Sequence, residues 1–319
     1  MDLQNSPLVD QSHDYIYQLT APISIGASVH QIIFAARMSG LFFSSDGGQS
    51  WQSAYKSLNT KQPLPTLAVA LAPDFDDEPH VYAGMNGAML RSYDGGVTWQ
   101  QCDLPSPPPA VSSLVISPNY SEDGVVFAGT NEDGVLVSND RGRIWVTWNF
   151  GLLDLNILCL AISPDFTSDE TLYAGAVSGL FRSTNGGRAW KEVPLPVGYD
   201  AVLSIAISPN FSSDGTLYVG TENKGLFVSR DRGKSWQLIS QSTCFQPVNS
   251  ILLSPGSSLH LEILILHGGT LLISKDGGET WTPWQRKKIG DRNVTAVFAA
   301  YGFETGVYIG LEDGQILTR

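Results

Sequence analysis

The sequence predicts an all-β protein, a seven-bladed β-propeller of four-stranded antiparallel blades, and three observations predict it. An eight-residue box recurs six times: SSDGGQSW from Ser44, SYDGGVTW from Ser92, SNDRGRIW from Ser138, STNGGRAW from Ser183, SRDRGKSW from Ser229 and SKDGGETW from Ser274. Successive boxes begin 48, 46, 45, 46 and 45 residues apart, a period that belongs to solenoids and propellers. Between boxes the chain falls into short β-branched and aromatic runs punctuated by Pro, Gly, Asn and Asp, with no sustained helical period.

Each unit opens on an apolar run ending in Ala-Pro or Ser-Pro: TLAVALAP from Thr66, VSSLVISP from Val111, ILCLAISP from Ile157, VLSIAISP from Val202 and VNSILLSP from Val248. Weaker copies stand at the ends, IYQLTAP from Ile16 and VTAVFAAY from Val294. A second run follows, such as VYAG, VVFAGT, TLYAG or TLYVGT, and a third, such as GVLVS or GLFRS, leads into the box. With a fourth strand after the box, each unit reads as one antiparallel blade. Counting first strands gives seven units in a single domain over 1–319, at approximately 16–60, 66–107, 111–153, 157–198, 202–246, 248–290 and 294–319. The alternative is a six-bladed ring with one end unit misread. The last unit reaches Thr318 where a further box would open, so its fourth strand is expected from residues 1–15, around Leu8 and Val9. A blade shared in this way leaves no open sheet edge at the seam.

The box sits between third and fourth strands, where each residue type has a structural task. Asp46, Asp94, Asp140, Asp231 and Asp276, with Asn185 in the fourth copy, can accept hydrogen bonds from the backbone N–H groups of a tight turn. Gly48, Gly96, Gly142, Gly187, Gly233 and Gly278 suit a positive φ. Trp51, Trp99, Trp145, Trp190, Trp236 and Trp281 can bury a ring between neighbouring sheets.

This S-x-D-x-G-x-T-W pattern resembles the Asp box, or BNR repeat, and the resemblance covers nearly the whole chain. The departures are Asn185 for Asp, and Ile144 and Ala189 for the hydroxyl residue before Trp. The resemblance implies a propeller whose boxes lie at the rim of one face and are not themselves catalytic. Function varies across the family, which includes sialidases, xyloglucan-cleaving glycoside hydrolases, sortilin-type receptors and a photosystem II assembly factor.

The formal charge of −12, from 31 acidic and 19 basic residues, argues against nucleic acid or an anionic membrane as partner. Neither a membrane span nor a signal peptide is recognisable, so a cytoplasmic protein is the expectation. Cys102, Cys159 and Cys244 have neither metal-ligand nor disulfide-framework spacing, and His13, His30, His80, His260 and His267 form no ligand grouping, so no metal or cofactor is implied.

A sialidase-like site needs an arginine triad, a Tyr–Glu pair and an acid, and no RIP signature accompanies the first unit, whose nearest arginine is Arg37. The recurrent pairs Asp74/Asp77, Asn119/Asp123, Asp165/Asp169 and Asn210/Asp214 occupy one position in four units, which marks a loop-forming device: Pro to enter, Asx to turn, an aromatic to pack.

Two surfaces are candidates for a partner. On the box face, Arg141, Arg143, Arg188, Arg230, Arg232, Lys234 and Lys275 would form a basic arc able to dock an acidic protein. On the opposite face, the hairpin and inter-blade loops carry Phe150, Leu152, Tyr199, Phe245 and Glu222, with His267 facing the channel. The expected function is a non-enzymatic interaction scaffold or accessory subunit for a protein partner. The alternative is a propeller that binds or cleaves glycans at the channel face.

Overall fold

A computed structural model describes residues 14–22, 31–239, 246–254, 261–300 and 302–319; Leu8, Val9, His13, His30, Cys244, Phe245 and His260 lie outside them. The described residues form seven antiparallel sheets, each with its strands paired in chain order. Blade 1 comprises Ile16–Thr20, Ile33–Arg37, Gly40–Ser44 and Gln52–Ser53. Blades 2 to 6 open on Thr66–Leu71, Ala110–Ile116, Ile157–Ile162, Val202–Ile207 and Val248–Ser254, and each has four strands. Blade 7 has three among the described residues, Val294–Ala299, Val307–Leu311 and Ile316–Thr318. The ring is therefore seven-bladed. Its expected donor of a fourth strand, around Leu8 and Val9, lies outside the described residues.

Every blade carries an irregularity where its first two strands pair, for instance between Ile16 and Gln18, Ile157 and Cys159, and Val294 and Ala296. One extra residue in the first strand strengthens the local twist. The second strands, buried along their length, supply the middle of each sheet.

A glycine in that strand sets the distance between blades. A Cβ built on Gly84, Gly129, Gly175 or Gly220 would lie 2.6 Å from a methyl of Val111, Ile157, Val202 or Val248, an aliphatic residue at the start of the next blade's first strand. The same relation closes the circle, because a Cβ on Gly310 of blade 7 would meet Ile16 of blade 1 at 3.1 Å. Ile16, Leu19 and Ile33 share a buried cluster with Ala296 and Tyr308 across this junction. Arg37 reinforces it, donating from Nη1 to the Gly314 carbonyl at 3.2 Å and to Asp14 at 3.5 Å.

The four recurrent Asx pairs lie where a loop-forming device would put them. Single helical turns, Tyr120–Asp123, Phe166–Asp169 and Phe211–Asp214, begin after the first member of three of these pairs and end on the second, each with its aromatic buried. Asp123, Asp169 and Asp214 each accept a bond from the preceding Ser117, Ser163 or Ser208 hydroxyl at 2.6–2.8 Å. Their other oxygens accept the N–H groups of Val125, Thr171 and Thr216 as the second strand begins. In blade 2, Phe75 is buried at the same place without a helix.

Candidate functional site

The boxes form one repeated hydrogen-bond cage. In all six, the first Ser Oγ donates to Oδ1 of the Asp, or of Asn185, at 2.7–2.9 Å and accepts the N–H of the Gly two residues after that Asp or Asn at 2.7–2.9 Å. Oδ1 also accepts the N–H of the residue before Trp at 2.8–3.0 Å. Where that residue is Ser50, Thr98, Ser235 or Thr280, its hydroxyl adds a bond to Oδ2 of 2.5–2.6 Å. These bonds, led by the Ser50 and Ser235 hydroxyls, hold Asp46 and Asp231 down at about 2, and the Thr280 hydroxyl depresses Asp276 in the same way. Asn185 keeps the backbone acceptor, and Ile144 and Ala189 lose only the hydroxyl bond.

That glycine, Gly48, Gly96, Gly142, Gly187, Gly233 or Gly278, has φ between 74° and 103°, the left-handed region that favours glycine. Three of the tryptophans tie their blade to the one before: Trp99 Nε1 donates to Ala54 O at 2.9 Å, Trp190 Nε1 to Trp148 O at 2.8 Å and Trp281 Nε1 to Ile239 O at 3.5 Å. Trp99, Trp145 and Trp190 are buried, whereas Trp51, Trp236 and Trp281 are half-buried. The box is architecture.

The cations of the box face divide into two groups. Arg141 and Arg232 turn inward onto their own blade's helical turn, where Arg141 Nη2 donates to Ser121 O at 2.6 Å and pairs with Glu78 at 3.2 Å. Arg232 Nη2 donates to Ser212 O at 2.8 Å, and its guanidinium lies 5.3 Å over Phe211. Both residues have positive φ, 59° and 61°, and the preceding blade clamps their carbonyls. The Arg141 carbonyl accepts from Tyr93 Oη at 2.9 Å and Arg91 Nη1 at 3.4 Å. The Arg232 carbonyl accepts from Tyr173 Oη at 3.0 Å and Arg182 Nη1 at 2.6 Å. Sequence reasoning missed this clamp, although Arg91 and Arg182 each directly precede the first Ser of a box.

Arg188 pairs with Glu170 at 3.4 Å, and Lys275 with half-buried Glu262 at 3.8 Å and exposed Glu304 at 4.0 Å, with both cations exposed. Arg230 reaches Gln237 at 3.4 Å. Arg143 and Lys234 are exposed and their side chains make no hydrogen bond or ion pair among the described residues. The expected arc of seven is thus interrupted by inward turns and by acids.

At the opposite end of the strands, the loop of each second-to-third-strand hairpin is bonded to an inter-blade loop: Gly134 N–H to Leu155 O, Val177 N–H to Asn156 O and Glu222 N–H to Ala201 O, at 2.9–3.2 Å. Acids ahead of first strands lock these hairpins. Asp14 accepts from Ser39, Asp154 from Ser178, and Asp200 from Asn223. Burial raises the Asp154 carboxyl, but the N–H groups of Asn156 and Ser178 outweigh it and leave the group below its ordinary value. A general acid needs the reverse.

On this framework Phe150, Leu153 and Tyr199 stand 79%, 77% and 78% exposed, with Val177 at 52%. Leu152, expected at the surface, is buried; the Asn149–Leu152 turn points it inward and presents Leu153 instead. Glu222 is exposed beside Asn223. His267 is buried at the end of Glu262–His267, a strand rather than the expected loop. No group of three or more His, Cys, Asp or Glu is placed to hold a metal ion among the described residues, and none of their helices is long and apolar enough to cross a membrane.

The BNR/Asp-box repeat model matches residues 272–283, which include the whole of the sixth box. Xyloglucanase Xgh74A of Acetivibrio thermocellus is 24% identical over 208 residues, 59% of this chain and 21% of that protein. The curated relatives are longer, and the matches span between 4% and 23% of their length. Among solved structures, the GH74 xyloglucanase of Xanthomonas campestris matches 96% of this chain and 52% of its own at TM-score 0.71 and 17% identity. The structure of YCF48 bound to D1 peptide matches 96% of this chain and 93% of its own at TM-score 0.66 and 18% identity.

Proposed function

We propose that this chain, a seven-bladed propeller of the Asp-box (BNR) repeat family, is a non-enzymatic scaffold that holds a protein partner against the loops leading into blades 4 and 5. The observation that carries the reading is the set of apolar side chains Phe150, Leu153 and Tyr199, each more than three-quarters exposed on loops pinned by hydrogen bonds. Exposed aromatic anchors on a rigid frame lose little entropy on docking. Arg143, Arg230 and Lys234 offer a second, electrostatic surface on the box face, with Arg188 and Lys275 at its margin. The match to nearly the full length of YCF48, which is described bound to a peptide, supports a binding role, whereas the matched xyloglucanases are much longer than this chain.

A glycan-binding reading draws on the same Phe150 and Tyr199 rings, which could stack on sugars, and on the xyloglucanase relatives. The engagement of Asp14, Asp154 and Asp200 in backbone bonds weighs against using these acids for hydrolysis. The test is affinity capture of tagged protein from native lysate, alongside Phe150→Ser/Leu153→Ser/Tyr199→Ser and Arg143→Glu/Arg230→Glu/Lys234→Glu variants. A stoichiometric protein lost with the first variant supports the reading. Loss with only the second moves the surface to the box face, and xyloglucan oligosaccharide binding without a protein partner overturns it.

A further inference from the structure

The connection from blade 6 to blade 7 reads QRKKIGDR, residues 285–292, and sets four cations against one carboxylate in a chain of formal charge −12. It forms one helical turn, Arg286–Ile289, anchored by buried Ile289. Arg292 holds the turn, donating from Nε to Ile289 O at 2.8 Å, from Nη2 to Lys288 O at 2.9 Å and from Nη1 to Gln315 at 3.2 Å. Lys288 Nζ donates to the Thr318 carbonyl, tying the turn to blade 7. Arg286 and Lys287 are exposed, and their side chains make no hydrogen bond or ion pair among the described residues.

Beside this turn lies a cavity of about 370 Å³ with Leu271, Trp284 and Ile289 in its wall and Arg286 and Arg292 alongside; Asp291 is its acid. Its volume falls in the range of small ligand pockets. One uncommitted cation in the cavity wall, Arg286, and a second, Lys287, next to it on the same exposed turn ask for a ligand that combines carboxylates with an aliphatic side chain.

We infer that this site docks an acidic peptide segment of a protein partner, its carboxylates on Arg286 and Lys287 and an aliphatic side chain in the cavity. A small anion would leave the apolar walls unused, and the chain's net charge repels nucleic acid. The inference rests on the scaffold reading for the kind of partner but uses residues separate from Phe150, Leu153 and Tyr199.

The test uses the full chain and fluorescein-labelled short peptides of Glu and Asp with one central Leu, titrated by fluorescence anisotropy. Arg286→Glu/Lys287→Glu should weaken binding at least about tenfold, as loss of charge complementarity does. Replacing the central Leu by Ser should weaken it too, and the wild-type affinity should fall as salt rises from roughly 50 to 300 mM. The Phe150→Ser/Leu153→Ser/Tyr199→Ser variant should bind these peptides unchanged, so failure of the blade 4 and 5 surface is read separately. The inference is overturned if no acidic peptide binds, if the charge-reversed variant binds as well as wild type, or if inorganic phosphate or single-stranded DNA competes at equal charge concentration.

Discussion

Replacing Gly84 by alanine tests whether the ring is spaced by glycine. The new Cβ would lie 2.6 Å from Val111 Cγ1, 2.9 Å from Val111 Cβ and 3.1 Å from Val111 O. Comfortable carbon contacts are about 3.5–4.0 Å, so blades 2 and 3 must part by roughly 1 Å. A rotamer change at Val111 cannot relieve this, because its Cβ and carbonyl are also too close. Overpacking of this kind costs about 1–3 kcal/mol. Val111→Ala alone removes two buried methyls, at about 0.8 kcal/mol each plus a cavity cost. The double variant should be more stable than the sum of the single losses by about 1 kcal/mol, since the second change removes the nearest clashing atom, Cγ1 at 2.6 Å, and leaves only the Cβ and carbonyl contacts for the blades to absorb. Urea unfolding followed by tryptophan emission measures all four states. Additivity within about 0.5 kcal/mol would refute glycine-set spacing, as contacting residues must couple.

Further outcomes follow from other contacts. Arg182→Met should cost about 1 kcal/mol, because the Arg232 carbonyl would keep only the Tyr173 hydroxyl; chemical denaturation measures this, and no loss would remove the clamp from the account. Desolvation lowers the His80 pKa from 6.5, with Glu78 opposing and Arg141 assisting, while Tyr93 packs tilted against the ring and Tyr120 bonds Nδ1. Stability from neutral His80 is therefore present above about pH 6.5 and lost as pH falls through the lower folded value, so His80→Gln should flatten the melting-temperature profile there. Asp46 and Asp231, held at about 2, stabilise the fold above the ordinary carboxylate range and lose that effect as pH falls towards 2; Asp231→Ala should shift acid unfolding to higher pH, while Asp231→Asn should shift it less. Burial pushes the Cys102 and Cys159 thiols up to about 12, so iodoacetamide at pH 8 should label both far more slowly in folded than in urea-unfolded protein, as mass spectrometry would report.

The box was legible because its information is local: Asp46 and Ser44 bond within a few residues, and a period of forty-odd residues repeats the signal. Asn185 could be read as a tolerated change because the acceptor it preserves belongs to the same turn. Relations between blades were hidden. Runs such as VYAG and TLYVGT displayed the spacing glycine, but its meaning depends on a side chain in the following unit. The basic arc failed to appear whole because Arg141 and Arg232 have partners, Ser121 and Ser212, that only the helical turn brings near. Leu152 and Leu153 are neighbours of one chemistry, and the turn alone decides which is exposed. The RKKIGDR charge run was visible in the sequence; its adjoining cavity, formed partly by Leu271 and Trp284, was not.

Five of the seven joints use the same key, a glycine against an aliphatic residue, so the shape that joins blade 2 to blade 3 also joins blade 7 to blade 1. Interfaces that fit alike do not discriminate among neighbours. The register of the ring must then come from chain connectivity and from the joints that depart from the key, where Ala36 and Leu266 stand in place of glycine. Such a molecule is modular in its joints and particular in its loops: a duplicated blade would find a ready seat, while the surface it presented could diverge without disturbing its neighbours.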